Sequence, residues 1–226
     1  MKKIQLKKAY KEALEMLCSK EDPREFTHAP FLLEDKKQAF ATDGFMIAIV
    51  NANKVTGSKD FRIEEKLDLT TIISPIRNKT IVIPLKDIKK DFAAAPQVEL
   101  YDTIGNDVEC ETCEGGGEVL WEFEGHEKDD DCPVCSGQGL TTIAGKVKNG
   151  KTSVDRTTLV KIGDSHFYTN LILKLIDIIE KLGGEEIKLV SQTQEHAGSL
   201  FEVKDMEIVI MPCQVHKDVK IVASYV

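Results

Sequence analysis

Apolar side chains recur at helical spacing in two long segments of the chain. In residues 5–18 they come at every third or fourth position, and the opposite face is charged. Residues 168–182 repeat the pattern, and Gly183-Gly184 follow where helices commonly end. This periodicity predicts two amphipathic helices, each burying one face. The apolar positions of the first are Leu6, Ala9, Tyr10, Ala13, Leu14 and Leu17.

Shorter apolar runs follow each predicted helix and indicate strands. Asp43-Gly44 separates two of these runs, and such a dipeptide is a strong hairpin signal. A short helix is predicted near 85–92. A helix followed by several antiparallel strands, twice, predicts an α+β fold with helices packed on one face of an antiparallel sheet. The predicted strands cover 31–35, 38–42, 45–50, 80–84, 98–102, 185–191, 198–203 and 206–212.

Charge is distributed unevenly along the 226 residues. The net charge is −8, yet residues 104–131 alone carry eleven acidic side chains and one basic one, Lys128. That segment is therefore −10, and the remainder of the chain is +2. A mildly basic body with a strongly acidic insertion is predicted.

The apolar runs are too short for a membrane span. One of the longest, Phe45–Val50, falls far below the roughly 18 residues that a spanning helix needs. The N-terminus lacks the apolar stretch of a signal peptide. We therefore expect a cytoplasmic protein with no membrane partner.

Four of the six cysteines form two C-x-x-C pairs, which read CETCEGGG over 110–117 and CPVCSGQG over 132–139. Two thiolates three residues apart at a tight turn can bind one metal ion, and the glycines allow positive φ. Two such knuckles supply four thiolates, which suits tetrahedral zinc. The alternating run VLWEFEG between the pairs predicts a hairpin arm. We predict one structural Zn²⁺, bound by Cys110, Cys113, Cys132 and Cys135.

Two other interpretations of these cysteines are a redox dithiol pair and four free thiols. A redox C-x-x-C usually begins a helix, and neither pair precedes a helical pattern. Cys18 and Cys213 lie in apolar periodic segments and are predicted to be small core residues. The doubled motif resembles the zinc-binding region of DnaJ-type chaperones over 110–139. Because the chain has no HPD tripeptide, the resemblance covers the zinc module alone and implies no co-chaperone function.

The remainder of the chain resembles the bacterial DNA polymerase III beta sliding clamp family. About 140 residues carry the likeness, in the order and spacing of clamp segments. Ala41-Thr42-Asp43-Gly44 matches the ATDG-type turn of that family, although Phe45-Met46-Ile47 follows where clamps have His-Arg-Leu. The segments are KEALEMLCSK, FLLEDKKQAFATDGFMIAIV, TIVIPLKDIKK and HFYTNLILKLIDIIEKLGGEEIKLV, with VIMPCQV near the end.

The resemblance implies a clamp-like fold and a non-enzymatic accessory role in DNA replication. Helix lysines of clamps face DNA phosphates without reading bases. Family clamps have three domains per chain, so a ring here would need several copies, and a homo-oligomer is expected. The implied partners are double-stranded DNA, bound non-specifically, and peptides of polymerases or other replication proteins. The implied DNA-facing residues are Lys7, Lys8, Lys11, Lys174 and Lys181.

Clamps bind partner peptides in an apolar groove. In the family, the two halves of this groove come from adjacent domains, so this chain is expected to assemble it across subunits. The implied residues are Thr42, Gly44, Phe45, Met46, Val209, Met211, Pro212 and Cys213.

Three alternatives to these assignments remain open at this stage. The lysines fit solvated helix faces, and the groove residues fit core packing around a hairpin turn. The protein as a whole fits a zinc-stabilised interaction adaptor of clamp-like fold that does not encircle DNA.

A more remote alternative is a P-loop NTPase, because Gly145–Thr152 fits G-x-x-x-x-G-K-T. The following residues are β-branched, whereas a P-loop must begin a helix, and Asn149-Gly150 is typical of a hairpin turn. The clamp resemblance, taken with the predicted elements, implies a clamp-like α+β domain over 1–103 and 143–226. An acidic zinc-binding arm is predicted over 104–142.

Overall fold

The structure is a computed structural model that describes residues 3–20, 22–33, 37–64, 78–123, 126–192, 197–215 and 219–226. The ends of the predicted strand 31–35 and of the VLWEFEG run lie outside these residues. The chain divides into two compact units. Unit 1 comprises 1–97 and 154–226, and unit 2 comprises 98–153. The domain boundaries predicted from the sequence, at 103/104 and 142/143, stay a prediction.

Three α-helices and fifteen strands are present in the described parts of the chain. The helices are α1 (Lys3–Glu15), α2 (Leu85–Ala94) and α3 (Thr169–Lys181). The strands, in chain order, are β1 (Phe31–Leu33), β2 (Gln38–Thr42), β3 (Met46–Asn51), β4 (Arg62–Glu64), β5 (Ile81–Pro84), β6 (Gln97–Glu109), β7 (Glu118–Phe123), β8 (His126–Asp131), β9 (Leu140–Val154), β10 (Leu159–Ile162), β11 (Ser165–Tyr168), β12 (Glu186–Ser191), β13 (Ser199–Val203), β14 (Met206–Ile210) and β15 (Ile221–Tyr225).

Unit 1 is built on an eight-stranded sheet in the order β4-β1-β2-β3-β14-β13-β12-β5. Its strand pairs are antiparallel, apart from the parallel pair β1–β4. The strands that follow α1 join those that follow α3 through β3 and β14, where Met46 lies opposite Ile210. Two segments far apart in sequence therefore form one continuous sheet.

The apolar faces of the helices form the main core of unit 1 with one face of this sheet. Leu14 of α1 and Ile172 of α3 are fully buried, as are Ala48 and Phe201 of the sheet. Burying a side chain as large as that of Leu14, Ile172 or Phe201 contributes about 1.5–3 kcal/mol. The helical spacing in the sequence thus becomes one continuous core, and the predicted mixed helix-and-sheet fold is confirmed.

The end of α3 shows why that helix stops where the sequence predicts. Gly183 has φ +68, and its N–H donates to the carbonyl of Glu180 at 2.8 Å. The N–H of Gly184 donates to the carbonyl of Ile179 at 2.8 Å. These bonds satisfy carbonyls that have no partner within the helix.

A smaller sheet of unit 1, with the order β11-β10-β15, was not predicted in full from the sequence. Its strand β10 pairs antiparallel with β11 and parallel with β15. The chain leaves unit 1 after Gln97 and returns at Val154. The N–H of Asp155 donates to the carbonyl of Pro96 at 3.3 Å, so the two crossing points lie side by side.

Unit 2 consists of two ribbons, β6-β9 and β7-β8, together with the cysteine knuckles. The hairpin predicted between the knuckles is confirmed as β7–β8. The hairpin predicted at Asn149-Gly150 is wrong, because β9 runs without a break from Leu140 to Val154 and pairs with β6. Residues 145–152 therefore lie in a strand and not in a loop that begins a helix, which contradicts the P-loop interpretation.

None of the helices described is long and apolar enough to cross a membrane.

Candidate metal centre and clamp-like surfaces

The two cysteine knuckles have the same backbone conformation. The residue after the second cysteine is left-handed in both, with φ +50 at Glu114 and at Ser136, and a glycine of positive φ follows each. This path turns the chain back so that both cysteines of a pair point inward. Similar sequences thus fold into two similar turns.

The last glycine of each knuckle contacts the backbone of the other knuckle. A Cβ atom on Gly117 would lie 2.5 Å from the carbonyl oxygen of Gly137, and one on Gly139 would lie 2.3 Å from that of Gly115. Both glycines also have positive φ. No larger residue fits at these two positions without displacing the opposite knuckle.

Reciprocal backbone hydrogen bonds join the knuckles. The N–H of Cys110 donates to the carbonyl of Gly139 at 2.9 Å, and the N–H of Cys132 donates to that of Gly117 at 2.8 Å. In addition, Gly117 N–H donates to Cys113 Sγ and Gly139 N–H donates to Cys135 Sγ, each at 3.2 Å. Donors directed at sulfur stabilise the thiolate form over the thiol.

The four sulfur atoms form a compact cluster that could hold a metal ion. Their Sγ atoms all lie within 4.8 Å of one another. Sγ of Cys110 is 3.8 Å from that of Cys132, and Sγ of Cys113 is 3.7 Å from that of Cys135. Three of the four cysteines are buried, and Cys113 is half-buried.

The thiols of this cluster differ in acidity. Burial opposes ionisation of Cys110, but hydrogen bonds from the backbone of Cys113 and Thr112, together with those from the thiols of Cys113 and Cys132, outweigh it and lower the pKa to about 7. Burial raises the pKa of the Cys113 thiol to about 11. Any metal that binds all four as thiolates must therefore displace protons.

The lysines predicted to face DNA lie on α1 and α3, and four of them have carboxylate partners. Nζ of Lys8 is 3.7 Å from a carboxylate oxygen of Glu12, and Nζ of Lys11 is 3.7 Å from one of Glu15. Lys181 of α3 reaches Glu12 of α1 at 2.9 Å. Lys7 is half-buried on α1.

Lys174 of α3 forms an ion pair with the Asp43-Gly44 turn. Its Nζ lies 2.6 Å from Oδ2 of Asp43, whose side chain is only 9% exposed. The other oxygen, Oδ1, accepts the backbone N–H groups of Phe45 and Met46 at 2.9 and 2.8 Å. Asp43 thus fixes the turn and partly neutralises Lys174, a role that the sequence analysis missed.

Two of the residues predicted for a peptide groove, Phe45 and Met211, lie on neighbouring strands of the large sheet. The backbone N–H of Met211 donates to the carbonyl of Phe45 at 2.9 Å, continuing the pairing of β3 with β14. Phe45 is 62% exposed and Met211 is 39% exposed, and Pro212 beside them is half-buried. We call Phe45, Met211 and Pro212 the Phe45 patch.

The other residues predicted for the groove are buried or hydrogen-bonded within the fold. Met46 lies in the main core, and Val209 is buried in a separate cluster. Thr42 is buried, and its Oγ1 donates to the carbonyl of Met46 at 2.7 Å and accepts the N–H of Gly44 at 3.0 Å. The N–H of Cys213, which is half-buried, donates to the carbonyl of His166 at 2.8 Å.

Arg24 is a further neighbour of this turn that the sequence analysis missed. A Cβ atom on Gly44 would lie 2.2 Å from Nη2 of Arg24, so the guanidinium lies directly against the glycine. Oδ1 and Oδ2 of Asp22 hold that guanidinium at 2.8 and 2.7 Å. Nothing in the local pattern around residue 24 indicates a contact with a turn some 20 residues further along.

Comparison with known proteins identifies structures of similar fold but assigns the chain to no family. No family model matches the chain, and no curated protein matches it in sequence. Two crystal structures of the DNA polymerase sliding clamp from Pseudomonas aeruginosa, one of them with ligand, match 94% and 95% of this chain at 12% identity, each with a TM-score of 0.50. Caulobacter crescentus pol III beta matches 92% at 11% identity, with a TM-score of 0.49. The chain spans 64% and 66% of the two Pseudomonas clamps. The fold is clamp-like.

Proposed function

We propose that this chain is a non-enzymatic, sliding-clamp-like accessory protein of DNA replication that carries one structural zinc ion in unit 2. The observation that carries the proposal is the eight-stranded sheet with α1 and α3 packed on one face. That sheet brings together, within one fold, the segments that resemble clamp sequences. The likeness to the Pseudomonas clamps extends over nearly the whole chain.

Zinc suits the cysteine cluster in both geometry and donor type. A tetrahedron with Zn–S bonds of about 2.3 Å has S···S edges of about 3.8 Å. Two of the sulfur pairs, at 3.8 and 3.7 Å, match that edge. Four thiolates would complete the coordination of zinc and leave no open position for a substrate, which is typical of a structural site. The ion would hold the two knuckles together.

DNA binding is the weaker part of the proposal, since most of the helix lysines are paired. Glu12, Glu15 and Asp43 offset Lys8, Lys11, Lys181 and Lys174. This pairing favours the second candidate, a zinc-stabilised adaptor of clamp-like fold that binds replication proteins without encircling DNA. In both candidates the Phe45 patch receives a partner peptide, and the acidic unit 2 binds protein.

Native mass spectrometry distinguishes the two candidates, because it reports subunit number and zinc content together. The clamp candidate predicts a defined oligomer with one zinc per chain. Retention on a closed circular plasmid, lost when the plasmid is linearised, would establish encirclement. A monomer that is not retained on circular DNA but binds replication-protein peptides would favour the adaptor. A chain without bound metal would contradict the zinc assignment.

A further inference from the structure

The β7–β8 hairpin of unit 2 presents a mixed apolar and acidic face. Glu118 lies opposite Asp131, and Leu120 lies opposite Asp129. Because side chains alternate along a strand, these four share one face of the ribbon. We call them the acidic hairpin face. All four are exposed, and Leu120 is 60% exposed.

The hairpin's lysine lies on the opposite face of the ribbon. Lys128 is paired across the strands with Trp121, and its Nζ donates to Oδ2 of Asp130 at 2.8 Å. Among the described side chains, the acidic hairpin face therefore carries three carboxylates and no base. A tetrathiolate zinc site nearby would add about −2 to the local charge.

Within the described residues, the hairpin forms a sheet of its own with no third strand beside it. A partner that covered the Leu120 side chain with an apolar group would remove its surface from water, which is favourable. The surrounding carboxylates repel nucleic acid and anionic surfaces, and they attract lysine and arginine. The apolar residue and the charges together therefore define the chemistry of a complementary partner.

We propose that the acidic hairpin face docks a lysine- or arginine-rich segment of a partner protein, with one apolar side chain of that segment covering Leu120. This inference rests on the proposed role of unit 2 as a protein-binding arm. It adds the sign of the partner's charge and the residue on which the partner is anchored.

The test uses the full, zinc-loaded chain and a fluorescein-labelled twelve-residue peptide of alternating lysine and leucine. Binding is followed by fluorescence anisotropy at low salt. E118Q/D129N should weaken binding about 3- to 30-fold, as expected for two exposed charge interactions. The matched control, E185Q/E186Q, removes two exposed carboxylates from unit 1 and should leave the affinity unchanged within a factor of two.

Leu120→Ser should weaken the same binding about 5-fold through lost apolar contact. Its control is Val82→Ser, which alters a 46% exposed side chain on β5 of unit 1. The chain contains one tryptophan, Trp121, so its intrinsic fluorescence reports directly on the hairpin. A change in that emission on peptide addition would support binding at the hairpin. Zinc content is measured for each variant to confirm that the knuckles remain intact.

Three results with the variants and peptides would overturn the inference. They are equal affinities for E118Q/D129N and E185Q/E186Q, undiminished binding by Leu120→Ser, and equal binding of a peptide with glutamate in place of lysine. Duplex DNA that binds the wild type and not E118Q/D129N would also overturn it. None of these results would change the subunit number, the zinc content or peptide binding at the Phe45 patch. The proposed function is therefore tested by those measurements, separately from this inference.

Discussion

Units 1 and 2 are stabilised by different means. Unit 1 buries a continuous apolar core between its helices and one face of the large sheet, with residues such as Leu14, Ile172 and Phe201 fully enclosed. Unit 2 has three buried cysteines as its apolar cluster, with Cys113 and Val119 packed against them. Large apolar side chains of unit 2 remain exposed, among them Leu120 and Trp121.

The proposed zinc site would explain how an insertion can fold without a large core of its own. Isolated two-stranded ribbons do not bury enough apolar area to offset the entropy of ordering the chain. Bonds from four thiolates to a metal ion can replace that missing core, since structural zinc contributes folding free energy directly. The two units should therefore respond to different perturbations.

Metal removal should have the largest effect, confined to unit 2. A strong chelator, or Cys110→Ser with Cys132→Ser, should remove about 10 kcal/mol of apparent folding free energy and unfold the knuckles. Amide hydrogen exchange over 98–153 should accelerate, while helical circular dichroism should persist, because α1–α3 lie in unit 1. Cys18→Ser should retain the metal. If amide hydrogen exchange over 98–153 stayed equally slow after metal loss, the inferred difference between units 1 and 2 would be wrong.

A cavity in the core should give the opposite result. Ile172→Ala removes a fully buried side chain of α3 and should lower the free energy of unfolding by about 2–5 kcal/mol. Urea unfolding followed by circular dichroism at the helix band measures this loss. Zinc content and Trp121 emission should be unchanged in native buffer. A fall in zinc content would show that the metal site depends on this core.

A methyl group at the contact between the knuckles should weaken metal binding by a smaller amount. Gly139→Ala combines a φ of +71 with a Cβ position 2.3 Å from the Gly115 carbonyl oxygen. We expect a loss of about 1–3 kcal/mol in zinc affinity, measured by competition with a chromogenic chelator.

Gly150→Ala is the matched control for that measurement. Gly150 has a similar φ of +73, but a Cβ there would meet nothing within 4 Å. The control should therefore show backbone strain alone and leave zinc affinity unchanged. Equal zinc affinities for the two variants would mean that the close approach of the knuckles has no effect on metal binding.

The smallest predicted effect concerns pH and unit 1. Partial burial, reinforced by Glu180, raises the pKa of Asp177 in the folded state. The folded state thus holds this proton more tightly than the unfolded state, so ionisation opposes folding once the pH exceeds the raised pKa. Asp177→Asn should gain less than about 0.5 kcal/mol at pH 7, because the side chain is mostly solvated. The urea midpoints of the wild type and Asp177→Asn should become equal at a pH below the usual pKa range of aspartate. A gain in stability that persisted at that pH would show that ionisation of Asp177 is not its cause.

Local patterns predicted those features whose determinants are close in sequence. The knuckles follow from C-x-x-C-x-G-x-G, since the turn and its positive-φ glycines lie within eight residues. The helices follow from 3.6-residue periodicity, because the core lies on one side of each. The Asp43-Gly44 hairpin likewise depends on bonds between neighbouring residues.

Features that depend on distant partners could not be predicted in this way. Asn149-Gly150 favours a local hairpin, but the pairing of β9 with β6 overrides that preference. The parallel pairing of β10 with β15 likewise needs a strand from the end of the chain. Lys174 resembles a solvated helix lysine until the fold brings it to Asp43, 131 residues away. The charge available to DNA is therefore a property of the tertiary structure.

The hydrogen bond from Asp155 to Pro96 has a consequence for the design of variants. Since the two ends of unit 2 meet there, a short connector could close the gap and yield a miniature protein without the insertion. The excised ribbon could be transplanted, by the same junction, onto any tight turn between neighbouring strands of an unrelated scaffold. Such a transplant would carry the proposed zinc site with it as one continuous segment of chain.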